Sequence, residues 1–165
     1  MSAGSPFAML GQAIRRAAGV LEGEPRALRL KRLHARIARN VPGGDVDRIA
    51  ALVGELCGLP RLSPEHPRPS ASRRDPVVLG DQMRRAWEEW LAAECAAQPV
   101  VLVLEDLHWG DLPTVKFVDA ALRNLPHSRF FVLAFGRPEV HGVFPRLWAD
   151  RRTTELKVEE LTRRA

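Results

Sequence analysis

The chain lacks the features that would place it in a membrane or in an oxidising compartment. Its 165 residues contain no apolar run that approaches the ~20 residues of a membrane-spanning helix. Residues 1–6 have neither the charged start nor the apolar core of a signal peptide. Only two cysteines occur, Cys57 and Cys95, and no spacing of cysteine and histidine resembles a zinc site. We therefore expect a cytoplasmic protein with two buried free thiols and no membrane partner.

Lysine is also scarce, although the net charge is +5. It occurs only at Lys31, Lys116 and Lys157, so nearly all of the positive charge is arginine. Several arginines fall within one predicted helix, residues 25–40, and a basic helix can contact the phosphates of DNA. A helix with one buried stripe and a solvated basic face explains the same pattern, so we do not expect a nucleic-acid partner.

The pattern divides the chain into three parts. Residues 1–58 predict a helical segment of three helices, the first capped by Ser5 and the third by Asp45. Residues 59–74 contain four prolines and predict a linker or loop. Residues 75–165 combine long apolar runs with helical periodicity and predict an α/β unit.

Within that α/β unit, aspartate followed closely by proline marks two helix starts. Asp75 precedes a long helix, and Asp111 precedes a shorter one that ends near Arg123. A short helix is predicted over 141–148, and residues 153–158 predict one more strand.

Residues 99–111 are the stretch around which the chain is organised. An unbroken apolar run of strand length ends in two adjacent carboxylates, Glu105 and Asp106. Such a run predicts a parallel strand that is covered on both faces, and ligands of open α/β sheets bind at the carboxyl ends of the strands. Two acids there suit a Mg²⁺-nucleotide site, as in a Walker B strand. The alternative is a solvated loop with a helix cap.

A second apolar strand is predicted over 129–135, and Arg137 follows it. Two strands joined by a helix predict a right-handed βαβ unit with parallel strands. Arg137 should then lie at the same sheet edge as the two acids, where it can complement a phosphate or simply pair with Glu139. The predicted fold class is α/β, a partial three-layer parallel sheet of the P-loop NTPase kind with a helical N-terminal portion.

The segments VVLVLEDLHWGD, from Val100, and FFVLAFGRPEV, from Phe130, carry a family resemblance. Together they resemble the Walker B and sensor-1 segments of bacterial signalling ATPases of the AAA-like, STAND type. Those domains are fused to serine/threonine kinases, adenylate cyclases or transcription regulators. The resemblance covers residues 75–165 well and the N-terminal helices more loosely.

The resemblance implies a role for three residues. Glu105 matches the Walker B acid that helps to hold Mg²⁺, and Asp106 matches the acid that orients the attacking water. Arg137 matches the arginine that closes the sensor-1 strand beside the nucleotide. Glu105 stands where many relatives have aspartate, and Gly136 stands where a polar residue often precedes the arginine.

The largest departure from the family is the phosphate-binding loop. No G-x-x-x-x-G-K-[ST] sequence, the Walker A motif, occurs in the chain. We therefore expect a fragment that is truncated at the lid, with ATP and Mg²⁺ as cofactors of the complete parent module and none for this chain alone. We expect no ATPase activity from the chain by itself.

Two other functions stay open. The chain can be a protein-interaction module that keeps the fold without a P-loop, or a basic helical DNA-binding segment. The expected partners are the missing Walker A half and a fused effector domain, and exposed strand edges predict self-association.

Overall fold

A computed structural model of the chain describes residues 6–59 and 75–159. It shows a helix-rich α/β structure with one parallel pair of strands. The helices are α1 Ala8–Ala17, α2 Arg26–Ala38, α3 Gly43–Leu56, α4 Pro76–Ala97, α5 Leu112–Asn124 and α6 Val140–Val143. The strands are β1 Val100–Leu104 and β2 Phe130–Ala134, and a 3₁₀ helix spans Leu107–Trp109. No helix within these ranges is long and apolar enough to span a bilayer.

The predicted βαβ unit is confirmed. β1 and β2 are parallel, with register from Val100 opposite Phe130 to Leu104 opposite Ala134, and α5 connects them. One face of this sheet packs on α5, α6 and α1 in a single apolar cluster. That cluster buries Leu102, Leu104, Leu107, Val115, Val118, Val140, Phe144 and Trp148.

The opposite face of the sheet differs from the prediction. Both faces of β1 were expected to be covered, yet Val101 is 58% exposed and Val103 47% exposed. Their partners in β2, Phe131 and Leu133, are exposed as well. The run VVLVL is apolar on both faces, so its sequence does not distinguish the covered face from the open one. Within the described part of the chain, helices cover one face only.

The N-terminal helices form a second core together with α4. The predicted helical stripes are buried there, with Leu33 and Ile37 from α2 and Ile49 and Val53 from α3. α4 contributes Met83, Ala86, Trp87, Trp90, Leu91 and Cys95 to the same cluster. α4 also contacts α5, so the helical core continues into the βαβ unit.

Two of the four predicted helix caps are confirmed. Asp75 accepts a hydrogen bond from the N–H of Val77 at 2.9 Å, and Asp111 accepts one from the N–H of Thr114 at 2.8 Å. The predicted cap at Asp45 is wrong, because α3 begins two residues earlier and Asp45 lies in its first turn. There its carboxylate bonds Arg48 and still interacts favourably with the helix dipole. Ser5 lies outside the described residues.

The C-terminal part departs further from the prediction. α6 is shorter than the helix predicted over 141–148. The strand predicted over 153–158 is absent, and this segment has no regular structure. A strand needs a neighbour to satisfy its backbone, and the described residues offer this segment none. Most of the linker predicted over 59–74 lies outside the described ranges.

Both cysteines are free and buried, as predicted. Burial raises the pKa of Cys57 to about 12, although the Arg15 charge lowers it in part. The thiol of the unfolded chain ionises near its ordinary pKa of 9.0, before the folded one. The stability that this difference contributes is therefore complete below about pH 9 and is lost as the pH rises toward the folded pKa.

We therefore expect no fast-reacting thiol in the native chain. At about pH 8 a disulfide reagent should label Cys57 at least about 100-fold more slowly than in the urea-unfolded chain, because the thiolate is the reactive form. The Cys57→Ala variant assigns the rate by removing one of the two labelled sites. A native Cys57 that reacts at the unfolded rate would contradict this assignment.

Candidate functional site

The two acids and the arginine predicted from the sequence lie at one edge of the sheet. β1 ends at Leu104 and β2 at Ala134, which are register partners in a parallel pair. Glu105 and Asp106 therefore leave the sheet beside the segment that carries Arg137, and all three residues are exposed. The parallel register alone produces this arrangement.

Backbone hydrogen bonds hold the turn that carries the acids. The N–H of Phe135 donates to the carbonyl of Leu104, and the N–H of Leu107 donates to the carbonyl of Phe135, both at 2.8 Å. Asp106 takes a left-handed conformation with φ of 54°, which aspartate adopts more readily than most residues. Leu107 then turns into the core at 1% exposure, while Asp106 stays in solvent.

His108 joins the two segments of this edge, a contact that sequence reasoning did not predict. Its Nδ1 accepts a hydrogen bond from the backbone N–H of Arg137 at 3.4 Å. That bond requires the proton on Nε2, which is buried and has no partner among the described residues. The LHWGD segment contains His108, but its sequence does not indicate which residue the imidazole bonds.

The Arg137 guanidinium is available for a ligand at this edge. Among the described residues it forms no ion pair with Glu105, Asp106 or Glu139, so the predicted alternative pairing with Glu139 is not observed. Two exposed carboxylates can accept bonds from a hydrated cation, and Mg²⁺ is commonly bound through one or two carboxylates and several waters. A guanidinium beside them can bond a phosphate.

Asp111 links two helices beside this edge through the hydrogen bonds that its carboxylate accepts. Its carboxylate accepts bonds from the N–H of Phe7, the N–H of Thr114 and the hydroxyl of Thr114, each at 2.8 Å. Asp111 is 8% exposed and Thr114 is fully buried. The carboxylate thus ties the start of α1 to the start of α5, directly after the turn that carries the acids.

A groove of about 880 Å³ runs along the edge of β1 that does not pair with β2. α1 forms one wall with Met9 and Ala13, and α4 forms the other with Trp87, Trp90 and Leu91. Glu105 and Asp106 lie at its carboxyl end. The opposite end is near Arg36, which pairs with buried Glu94 and also bonds the carbonyl of Ala17 at 3.2 Å.

Comparison of the chain with protein-family models, with curated proteins and with solved structures gives no match. In residues 6–59 and 75–159, no three His, Cys, Asp or Glu side chains are grouped so that they could hold a metal ion. The candidate site is therefore defined by its own geometry, an acidic pair and an arginine at one sheet edge beside an apolar groove.

Proposed function

We propose that the chain contributes the acidic side of a Mg²⁺-ATP site in a cytoplasmic signalling ATPase of the AAA-like, STAND type. The observation that supports this most is the register of β1 and β2, which brings Glu105, Asp106 and Arg137 to one edge. Glu105 would bind the metal, Asp106 would orient water, and Arg137 would contact a phosphate. The complete protein would use ATP to switch a fused effector, such as a kinase or a transcription regulator.

The phosphate cradle must then come from a segment outside these 165 residues, because they contain no G-x-x-x-x-G-K-[ST] sequence. Glu105 and Asp106 would supply the metal half of such a site, and Arg137 one contact of its phosphate half. The open apolar face of the sheet supports further structure around β1 and β2, because exposed Val101, Phe131 and their neighbours would be buried in a three-layer arrangement.

A protein-interaction module is the second candidate, and the same open face favours it. Val101, Val103, Phe131, Leu133 and Phe135 are all at least 40% exposed. The DNA-binding alternative is weaker, because ion pairs within the chain already engage Arg32 and Arg36 of the basic helix. Metal binding at the acidic edge separates the first candidate from the second.

The test is a titration of the ¹⁵N-labelled chain with Mn²⁺, a paramagnetic substitute for Mg²⁺. Amide signals of residues 105–109 and 135–138 should broaden first, and Glu105→Gln should raise the required Mn²⁺ concentration roughly tenfold, because one charged oxygen ligand is lost. Glu22→Gln is the matched control, since Glu22 is an exposed acid far along the chain from this edge.

Two results would count against the proposal. Broadening spread evenly over exposed acids, or an unchanged titration for Glu105→Gln, would remove the metal role and favour the interaction module. In parallel, a fluorescent ATP analogue with Mg²⁺ should show no micromolar binding to this chain alone. Micromolar binding would mean that the chain supplies a phosphate cradle of its own.

A further inference from the structure

One edge of β1 has backbone groups that no strand pairs among the described residues. The N–H of Val100 donates to the carbonyl of Arg129, and the carbonyl of Leu104 accepts from Phe135, so these residues face β2. Alternate residues of a strand direct their N–H and C=O groups to opposite edges. Val101 and Val103 therefore present theirs to the groove, as a template for another strand.

The segment 153–158 has the composition of a strand but no sheet. Its sequence TTELKV is rich in β-branched residues, and apolar Leu156 and Val158 alternate with charged neighbours. Leu156 is 83% exposed and Val158 94% exposed, the two highest exposures among the large apolar residues of the described chain. A strand with one apolar row and an apolar groove with an open strand edge are complementary.

We propose that residues 153–158 of one copy add as a strand to the free edge of β1 in a second copy, and that the exchange is reciprocal. Backbone hydrogen bonds to Val101 and Val103 would give the pairing. Leu156 and Val158 would lie against the partly exposed apolar residues of the groove lining, Met9 and Ala13 of α1. This inference does not depend on the nucleotide site.

One contact favours exchange between copies over folding back within one chain. Arg151 bonds Asp119 of α5 at 2.8 Å, and Glu155 pairs with His141 of α6 at 3.4 Å. α5 lies within the βαβ unit and α6 follows it, and both helices contribute to the cluster on the covered face, whereas the groove is walled by α1 and α4. Arg151, just before the segment, is thus held away from the groove of its own chain. Glu155 would give up its exposed pair with His141 when the strand is exchanged.

Charge sets the direction of the added strand. Glu105 and Asp106 make the carboxyl end of the groove acidic, and Arg16, which forms no ion pair among the described residues, lies on its wall near the other end. A parallel strand would bring Glu159 to the two acids. An antiparallel strand brings Glu159 toward Arg16 instead, so the geometry points to antiparallel pairing.

The test is the oligomeric state of the full chain by size-exclusion chromatography with light scattering over a range of concentrations. We expect a dimer, and Leu156→Asp should raise its dissociation constant roughly 30-fold, since a leucine burial is lost. Leu21→Asp is the control, because Leu21 is also exposed but does not line the groove. It should leave the dimer unchanged.

A charge exchange tests the direction of the strand. Arg16→Glu and Glu159→Arg should each weaken the dimer roughly fivefold, and the double variant should restore it. In hydrogen-exchange measurements, the amides of Val101 and Val103 should be protected only in the dimer. A monomer at all concentrations, protection of those amides in a monomer, or a dimer that is insensitive to Leu156→Asp would each overturn the proposal.

Discussion

The Arg36→Met variant should lose about 3 to 5 kcal/mol of unfolding free energy, the range for breaking a buried ion pair by removing one partner. The two terminal nitrogens of the Arg36 guanidinium each donate to the Glu94 carboxylate. The Arg36 side chain is 14% exposed and that of Glu94 is 6% exposed. Without Arg36, that carboxylate keeps one bond within the described part of the chain, from Trp90 Nε1 at 3.0 Å. The remaining buried charge is the source of the destabilisation.

Urea denaturation of a small variant set measures this effect. The double variant Arg36→Met/Glu94→Leu should recover most of the loss, because it removes the stranded charge together with its partner. Arg48→Met is the matched control, since Arg48 and Glu89 form an ion pair in which both side chains are 46% exposed. Its cost should stay below about 1 kcal/mol. Equal losses for Arg36→Met and Arg48→Met would contradict a buried pair.

The Asp111→Ala variant should lose about 3 kcal/mol. Removing a helix cap costs about 1 kcal/mol, and each buried donor left without an acceptor adds about 1 kcal/mol or more. The variant would strand the N–H of Phe7 and the hydroxyl of Thr114 in addition to uncapping α5. The start of α1 should detach first, so its amides should exchange faster than those of α3.

Asp75→Ala provides the comparison within the same chain. Asp75 also caps a helix that begins with proline, but it is exposed, and among the described residues its carboxylate bonds only the first turn of α4. Its loss should be about 1 kcal/mol. Urea denaturation of the two variants separates the cap from the link to α1. If Asp111→Ala costs no more than Asp75→Ala, the contact with Phe7 contributes nothing.

The position of the candidate site was predictable from local pattern. A five-residue apolar run that ends in charged residues predicts a strand, and two such runs joined by a helix predict a parallel pair. Once the strands are parallel, Glu105, Asp106 and Arg137 must emerge together. His108 was not predictable, because its bond to Arg137 depends on how two loops meet.

Two predictions from the sequence were wrong for one physical reason. Asp45 has the residue type of a cap, yet α3 begins at Gly43 with Pro42 at the N-cap position, where no side chain caps it. Residues 153–158 have the alternation of a strand, yet alternation does not supply a neighbouring strand. In both cases the pattern describes what a segment can form, and its surroundings decide what it does form.

By itself, the sequence determined the helices with their buried stripes, the two strands, the caps at Asp75 and Asp111, and the sheet edge that carries the acids. These features depend on residues a few positions apart. Only the tertiary structure decided which face of β1 stays open, that Asp111 bonds a residue 104 positions away, and that Arg36 finds Glu94 58 positions away. Such contacts depend on which surfaces meet after the chain collapses, and no local periodicity records that choice.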